Sequence, residues 1–255
     1  MHVRDGGHNS VPVKRLLLFA LCGCLSAQSG LTLLGAGGPT ANSTIAYLVS
    51  TSLANPSNLA DTITAPIDIS GASLLIIALS NFSIGGNCNY GVSDSRSNAY
   101  TCAGTFASPG TTSHVTIWYS IPTNVGPGTT FETYGAYLSM AVAAFSGTAA
   151  SAVVDAMTGS GQDTGGAIQP GSLTPASSNE LLIAVGATYQ SIDVSGVDSP
   201  FSSHLVQHVA SVNGTNNSIS LAYEIQTAAA TRNPTWTISP GTNASSTILM
   251  AFKHQ

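Results

Sequence analysis

Few side chains in this chain of 255 residues can do chemistry: eleven are Asp or Glu, six Lys or Arg, six His and four Cys. The stretch Asp193-Val-Ser-Gly-Val-Asp198 sets two carboxylates and a hydroxyl in an expected loop after a strand. That is a weak calcium candidate, because calcium takes six to eight oxygens and the stretch supplies few from side chains. A solvated loop is the plain alternative. His204 and His208 stand four apart. On a strand they share a face but lie roughly 13 Å apart, too far to hold one zinc ion. Asp94 to Tyr100 reads as a turn, in which Asp94 and Asn98 bond nearby backbone amides. A nucleophile elbow Gly-x-Ser-x-Gly is missing. Glycoside hydrolysis needs two carboxylates across a cleft, and Asp68, Asp94, Asp155 and Glu180 fall at expected strand ends. Glu132 and Glu224 fall inside strands, and Glu224 is expected to point outward into solvent. No catalytic set is assigned.

Aromatic side chains are the stronger candidates. An exposed ring among hydroxyls and amides suits sugar stacking with hydrogen bonds. Trp118, Tyr90 and Tyr189 are the ligand-binding candidates. Trp118 alternates against Ile117 and Tyr119, so it lies on the opposite face of its strand. A sandwich covered on both faces would bury Trp118 instead.

The background to these residues is low charge. Charged residues make up 7% of the chain, against roughly 25% in an ordinary domain. Six basic residues cannot build a phosphate-neutralising groove, which excludes nucleic acid as a partner. Coiled coils and helical repeats need charged helical faces that are missing. Simple disorder is excluded by a 43% hydrophobic content and a mean hydropathy of +0.25.

Lys14-Arg15 precedes an apolar run from Leu16 to Leu25. The pattern is that of a secretory signal covering residues 1–27, with cleavage after Ala27. The run is too short to span a bilayer, which takes about 20 residues. Leu21-Cys22-Gly23-Cys24 also reads as a lipobox, which would anchor the chain through Cys24. Secretion removes half of the basic residues and leaves Arg96, Arg232 and Lys253. It also leaves Cys88 and Cys102, which an oxidising compartment would join as a disulfide. No later segment is long enough to span a membrane. The Asn-x-Ser/Thr triplets at Asn42, Asn81, Asn213, Asn216 and Asn243 are expected by chance in this composition.

Residues 28–61 are rich in Ser, Thr and Asn and hold one expected strand, Thr44 to Val49. From residue 62 on, short apolar or alternating runs are separated by Gly, Pro, Asn and Ser. Gly159 to Ser178 is expected to hold no strand. Leu74-Leu75-Ile76 recurs as Leu181-Leu182-Ile183, and Tyr119-Ser-Ile121 as Tyr223-Glu-Ile225. Phe131 corresponds to Trp236, which suggests core positions for both, and Ala144-Phe145 corresponds to Ala251-Phe252. These matches keep their order at offsets of 104 to 107 residues. The expected architecture of residues 62–255 is all-β. It is an antiparallel double-sheet, jelly-roll-like sandwich built from two related halves of about 107 residues, near 62–158 and 172–255. Two tandem domains are the alternative.

The segments Val92-Ser-Asp94-Ser-Arg-Ser-Asn98-Ala-Tyr100, Ile117-Trp118-Tyr119, Ala143-Ala-Phe-Ser-Gly147, Asp155-Ala156 and Asn179-Glu180-Leu181-Leu182-Ile183 carry a resemblance. The chain resembles a family of poorly characterised, jelly-roll-like β-sandwich modules in secreted bacterial proteins. The family usually has Gly before the Asn of the first segment, where this chain has Ser97. The resemblance implies a fold and a compartment but no catalytic set.

These readings point first to a secreted or surface-exposed, non-enzymatic β-sandwich. Its expected partner is a neutral polysaccharide or a cell-surface component, and no cofactor is expected beyond a structural calcium at Asp193 and Asp198. A self-associating subunit of an extracellular layer or filament is the second reading, since low charge removes repulsion between copies and strand edges offer docking sites. A secreted hydrolase is the third.

Overall fold

A computed structural model describes residues 44–55, 61–82, 88–110, 112–135, 137–189, 192–210, 216–239 and 244–255. The expected signal at 1–27, with Cys24, and the triplets at Asn42, Asn213 and Asn243 lie outside the described residues.

Sixteen strands form among the described residues. They are β1 (Ala46–Ala54), β2 (Asp61–Ile63), β3 (Leu74–Asn81), β4 (Val92–Asp94), β5 (Thr101–Ala107), β6 (His114–Ser120), β7 (Phe131–Tyr134) and β8 (Ser139–Ser146). There follow β9 (Val154–Gln162), β10 (Ala167–Ile168), β11 (Leu181–Thr188), β12 (Asp193–Val197), β13 (Leu205–Val209), β14 (Ser218–Ile225), β15 (Trp236–Ser239) and β16 (Ser245–Phe252). A 3-10 turn, Phe201–His204, precedes β13. No described helix is long and apolar enough to cross a membrane.

Among the described residues all pairings are antiparallel, and the sheets number four. Two have five strands, in the orders β1-β8-β3-β6-β5 and β13-β14-β11-β16-β9. Two have three, in the orders β2-β7-β4 and β10-β15-β12.

Side-chain alternation explains why two sheets are not enough. Leu74, Ile76 and Ala78 of β3 enter a middle core with Leu181, Ile183 and Val185 of β11, between the five-stranded sheets. Leu75, Ile77 and Leu79 point the other way, into a second core with Phe131 of β7. Leu182 and Ala184 likewise enter a third core with Trp236 of β15 and Val194 of β12. Strands that are apolar on both faces must be covered on both. In place of the expected double sheet, the described residues form a middle pair of five-stranded sheets, each of whose outer faces carries a three-stranded sheet.

Two local expectations change. Gly159 to Gln162 belongs to β9, and Ala167–Ile168 forms β10, so the Gly-rich segment is not free of strand. The glycines serve close approach: a Cβ on Gly161 would lie 2.0 Å from the Ala107 carbonyl oxygen, and one on Gly159 would lie 2.4 Å from the Phe106 ring. Edge strand β9 thus presses onto edge strand β5. Of the apolar and alternating runs expected from residue 62 on, the first is a strand only as far as Ile63 and continues as an isolated bridge from Ile67 to Thr129.

Candidate functional site

The three ligand-binding candidates do not form one exposed surface. Trp118 lies on β6 between Ile77 of β3 and Cys102 of β5. It points away from the middle core and packs, half-buried, against the Phe131 core beside Tyr90, Val92 and Tyr100. Its indole Nε1 is buried with no hydrogen-bond partner among the described residues. Tyr90 joins the same layer, and Gly135 lets it approach: a Cβ there would lie 2.6 Å from the Tyr90 ring. Tyr189 sits apart, after β11, with its ring 5.3 Å from that of Phe82. Cys88 and Cys102 form a disulfide, which ties the chain before β4 to edge strand β5.

Among the described residues the most exposed large apolar side chains are Ile63 at 56% and Tyr134 at 50%, and both belong to the β2-β7-β4 sheet. Within β7, Phe131 and Thr133 are buried, so Glu132 and Tyr134 point outward. Ile63 and Ser93 pair with Glu132 from either side. Ile63 and Tyr134 are then diagonal neighbours, about 7–8 Å apart. The outer face presents a phenol ring, a branched aliphatic, a carboxylate and a hydroxyl. The signal for it is in the sequence, because Phe131 reads as core and Tyr134, three residues on, must face the other way.

Behind this face lies a closed turn. Asp94 Oδ1 accepts the backbone N–H groups of Arg96 and Asn98, at 2.9 and 3.1 Å. Its Oδ2 accepts Asn98 Nδ2 at 2.9 Å and the Tyr100 hydroxyl at 2.7 Å. Asn98 Oδ1 in turn accepts the amides of Thr123 and Asn124. Burial and the Asp94 carboxylate raise the Tyr100 hydroxyl well above the usual phenol range. These bonds occupy the carboxylate, which makes Asp94 a structural centre of the turn.

The weak calcium pair is separated. Asp193 opens β12 and Asp198 follows its end, so they flank a strand rather than share a loop. Asp198 Oδ1 accepts the Thr235 amide at 3.0 Å. No group of three or more His, Cys, Asp or Glu suited to a metal occurs among the described residues. His204 ends the 3-10 turn and lies 4.8 Å from the Tyr223 ring. His208 is on β13, with its Nδ1 2.8 Å from Ser220 Oγ. The two histidines therefore do not share a strand face as expected.

Two further carboxyl groups are buried. Glu224, expected in solvent, is buried, and Arg232 clamps it through Nε at 2.7 Å and a second nitrogen at 2.6 Å. Its outward face is the one that the third core covers. Glu180 is fully buried. Its Oε1 accepts the Ser177 amide at 3.1 Å, and its carboxyl also lies against that of Asp155. Burial, with the nearby Asp155 carboxylate, pushes its carboxyl up to about 7, and Lys253 opposes the shift. One carboxylate is held by a guanidinium and the other is sealed from water, so neither is free to meet a substrate.

Comparison of the chain with protein-family models, curated proteins and solved structures finds no match.

Proposed function

We propose that this chain is an exported, non-enzymatic β-sandwich that binds neutral polysaccharide through the outer face of the β2-β7-β4 sheet. The observation that carries this reading is the outward pair Tyr134 and Ile63, half or more exposed and set beside Glu132 and Ser93. The C–H face of a sugar ring stacks on an aromatic ring, while its hydroxyls donate to a carboxylate. The corresponding outer face of the β10-β15-β12 sheet carries Thr237 and Ser239 instead, which gives no ring to stack on. The disulfide is compatible with export.

The proposed architecture is two related jelly-roll-like halves, each a five-stranded and a three-stranded sheet. Its support is the strand order: adding eight to each label of β1-β8-β3-β6-β5 gives β9-β16-β11-β14-β13, and β2-β7-β4 becomes β10-β15-β12.

Affinity electrophoresis through gels containing neutral polysaccharides tests the binding reading. Retardation of the wild-type chain is expected, weakened roughly fivefold by Tyr134→Ala and unaffected by Phe82→Ala. No retardation by any polysaccharide, or equal retardation of the Tyr134→Ala variant, would overturn it.

A further inference from the structure

At one end of the middle core the apolar lining gives way to hydroxyls and an amide. Ser80 continues the inward positions Ile76 and Ala78 of β3, and Ser139 pairs with it on β8. Asn217 precedes β14 on the alternation that places Ile219 and Leu221 in the same core. Ser113 and Ser246 do the same before β6 and on β16, with their Oγ atoms 3.1 Å apart across the two sheets. Ser139 Oγ donates to the Asn217 carbonyl, again across the sheets, and accepts Asn216 Nδ2 at 2.9 Å. All these side chains are buried. Two residues beyond Ser80 and Ala187, the Phe82 and Tyr189 rings meet and close the layer.

The hydrogen bonding of this layer is incomplete. Ser80 Oγ and both side-chain polar atoms of Asn217 are buried with no partner among the described residues. Ser80 can donate one bond and accept two, and the Asn217 amide can donate two and accept two. Buried polar groups are almost always satisfied, and a polar enclosure holds water where an apolar one stays dry. Among the described residues no charged side chain belongs to the layer, so its guest is neutral and able both to donate and to accept. On the opposite sheet Ala187, with a single methyl group, belongs to the same core.

We infer that the layer is an internal hydration site, with ordered water bound to Ser80 Oγ and the Asn217 carboxamide beneath the Phe82–Tyr189 pair. The inference is independent of polysaccharide binding. A crystal structure of the full chain that resolves ordered solvent tests it, together with water-to-amide cross-relaxation in solution. Density within hydrogen-bonding distance of both groups is expected, with a persistent water cross-peak to the Asn217 side-chain amide. Ser80→Ala should lose the water nearest β3 while keeping the fold, and Asn217→Leu should lose the site altogether. If Asn217→Leu fails to fold, Ser80→Ala carries the test alone. A wild-type structure with neither density nor cross-peak overturns the inference, as does unchanged solvent in Ser80→Ala.

Discussion

Tyr223 meets Phe145 edge-on across the middle core, with ring centroids 5.3 Å apart and planes inclined at 75°. Tyr119 and Phe252 repeat the contact at 6.0 Å and 70°. In the sequence, Tyr119 corresponds to Tyr223 and Phe145 to Phe252. Each proposed half therefore gives a tyrosine to the other half's phenylalanine. That is the reciprocal pattern of a two-fold interface, in which a contact from i to j is matched by one from j to i. Phe82 and Tyr189, 107 residues apart, meet each other directly, as a residue near such an axis must.

Because the middle core belongs to both five-stranded sheets, they should unfold together. Calorimetry should give one transition with equal calorimetric and van't Hoff enthalpies. Phe145→Ala and Phe252→Ala should each cost about 3–5 kcal/mol in urea titration. Two separated transitions would show that the sheets do not depend on one another.

Gly186 and Trp236 form a size-matched pair. A Cβ on Gly186 would lie 2.8 Å from the indole and 2.9 Å from Val194. At the corresponding positions of the first half stand Leu79 and Phe131, a larger residue against a smaller ring, both buried. Gly186→Ala should destabilise by about 1–3 kcal/mol through overpacking. Trp236→Phe in the same chain should recover part of that loss. A double-mutant cycle measures the coupling, and strict additivity would mean that the two sites do not share space.

Ser97 holds φ at +59°, in the left-handed region that a side chain makes unfavourable. Glycine, with no Cβ, adopts this backbone conformation without that cost. Ser97→Gly should leave the Asp94 network in place. Relief of the strain, about 1 kcal/mol, competes with the greater freedom that glycine gives the unfolded chain. A net gain of at most about 0.6 kcal/mol is expected, read as a slightly higher urea midpoint at unchanged slope. A lower midpoint would mean that the Ser97 side chain contributes more than its backbone strain removes.

Much of the fold can be read from the chain because alternation and repetition are local signals. Ile117 and Tyr119 point inward and Trp118 outward as expected. The Cys88–Cys102 bridge forms as expected. Gly159 and Gly161 mislead, because a glycine that admits a neighbouring strand looks the same in sequence as one that makes a turn. Glu224 misleads for a related reason. Its face follows correctly from Tyr223, but the sheet that covers that face comes from distant segments, and so does the Arg232 that makes burial tolerable. Tyr134 was within reach, since it needed only Phe131 and a count of three. The shared surroundings of Glu180 and Asp155 could not be counted, because they arise where β9 and the segment before β11 come together.

Glu180 sets a pH dependence whose sign follows from its burial. Its folded pKa, about 7, lies above the ordinary value of 4.5, because burial and Asp155 disfavour the charged carboxylate and outweigh the Ser177 amide and Lys253. The folded chain therefore holds a proton that the unfolded chain releases between those values. Its stabilising contribution is complete below about pH 4.5, shrinks as pH rises, and is gone above about pH 7. Asp155 accepts the Ala176 amide at 2.8 Å and Glu180 accepts that of Ser177, so the two carboxyls hold adjacent residues of one segment. Ionising Glu180 should loosen that segment first. Glu180→Gln keeps the shape and removes the proton, so it should flatten this part of the stability profile between pH 4.5 and 7. Urea titrations across that range, paired with amide exchange at Ala176 and Ser177, measure both effects. Identical pH profiles for wild type and Glu180→Gln would show that Glu180 does not hold the proton assigned to it.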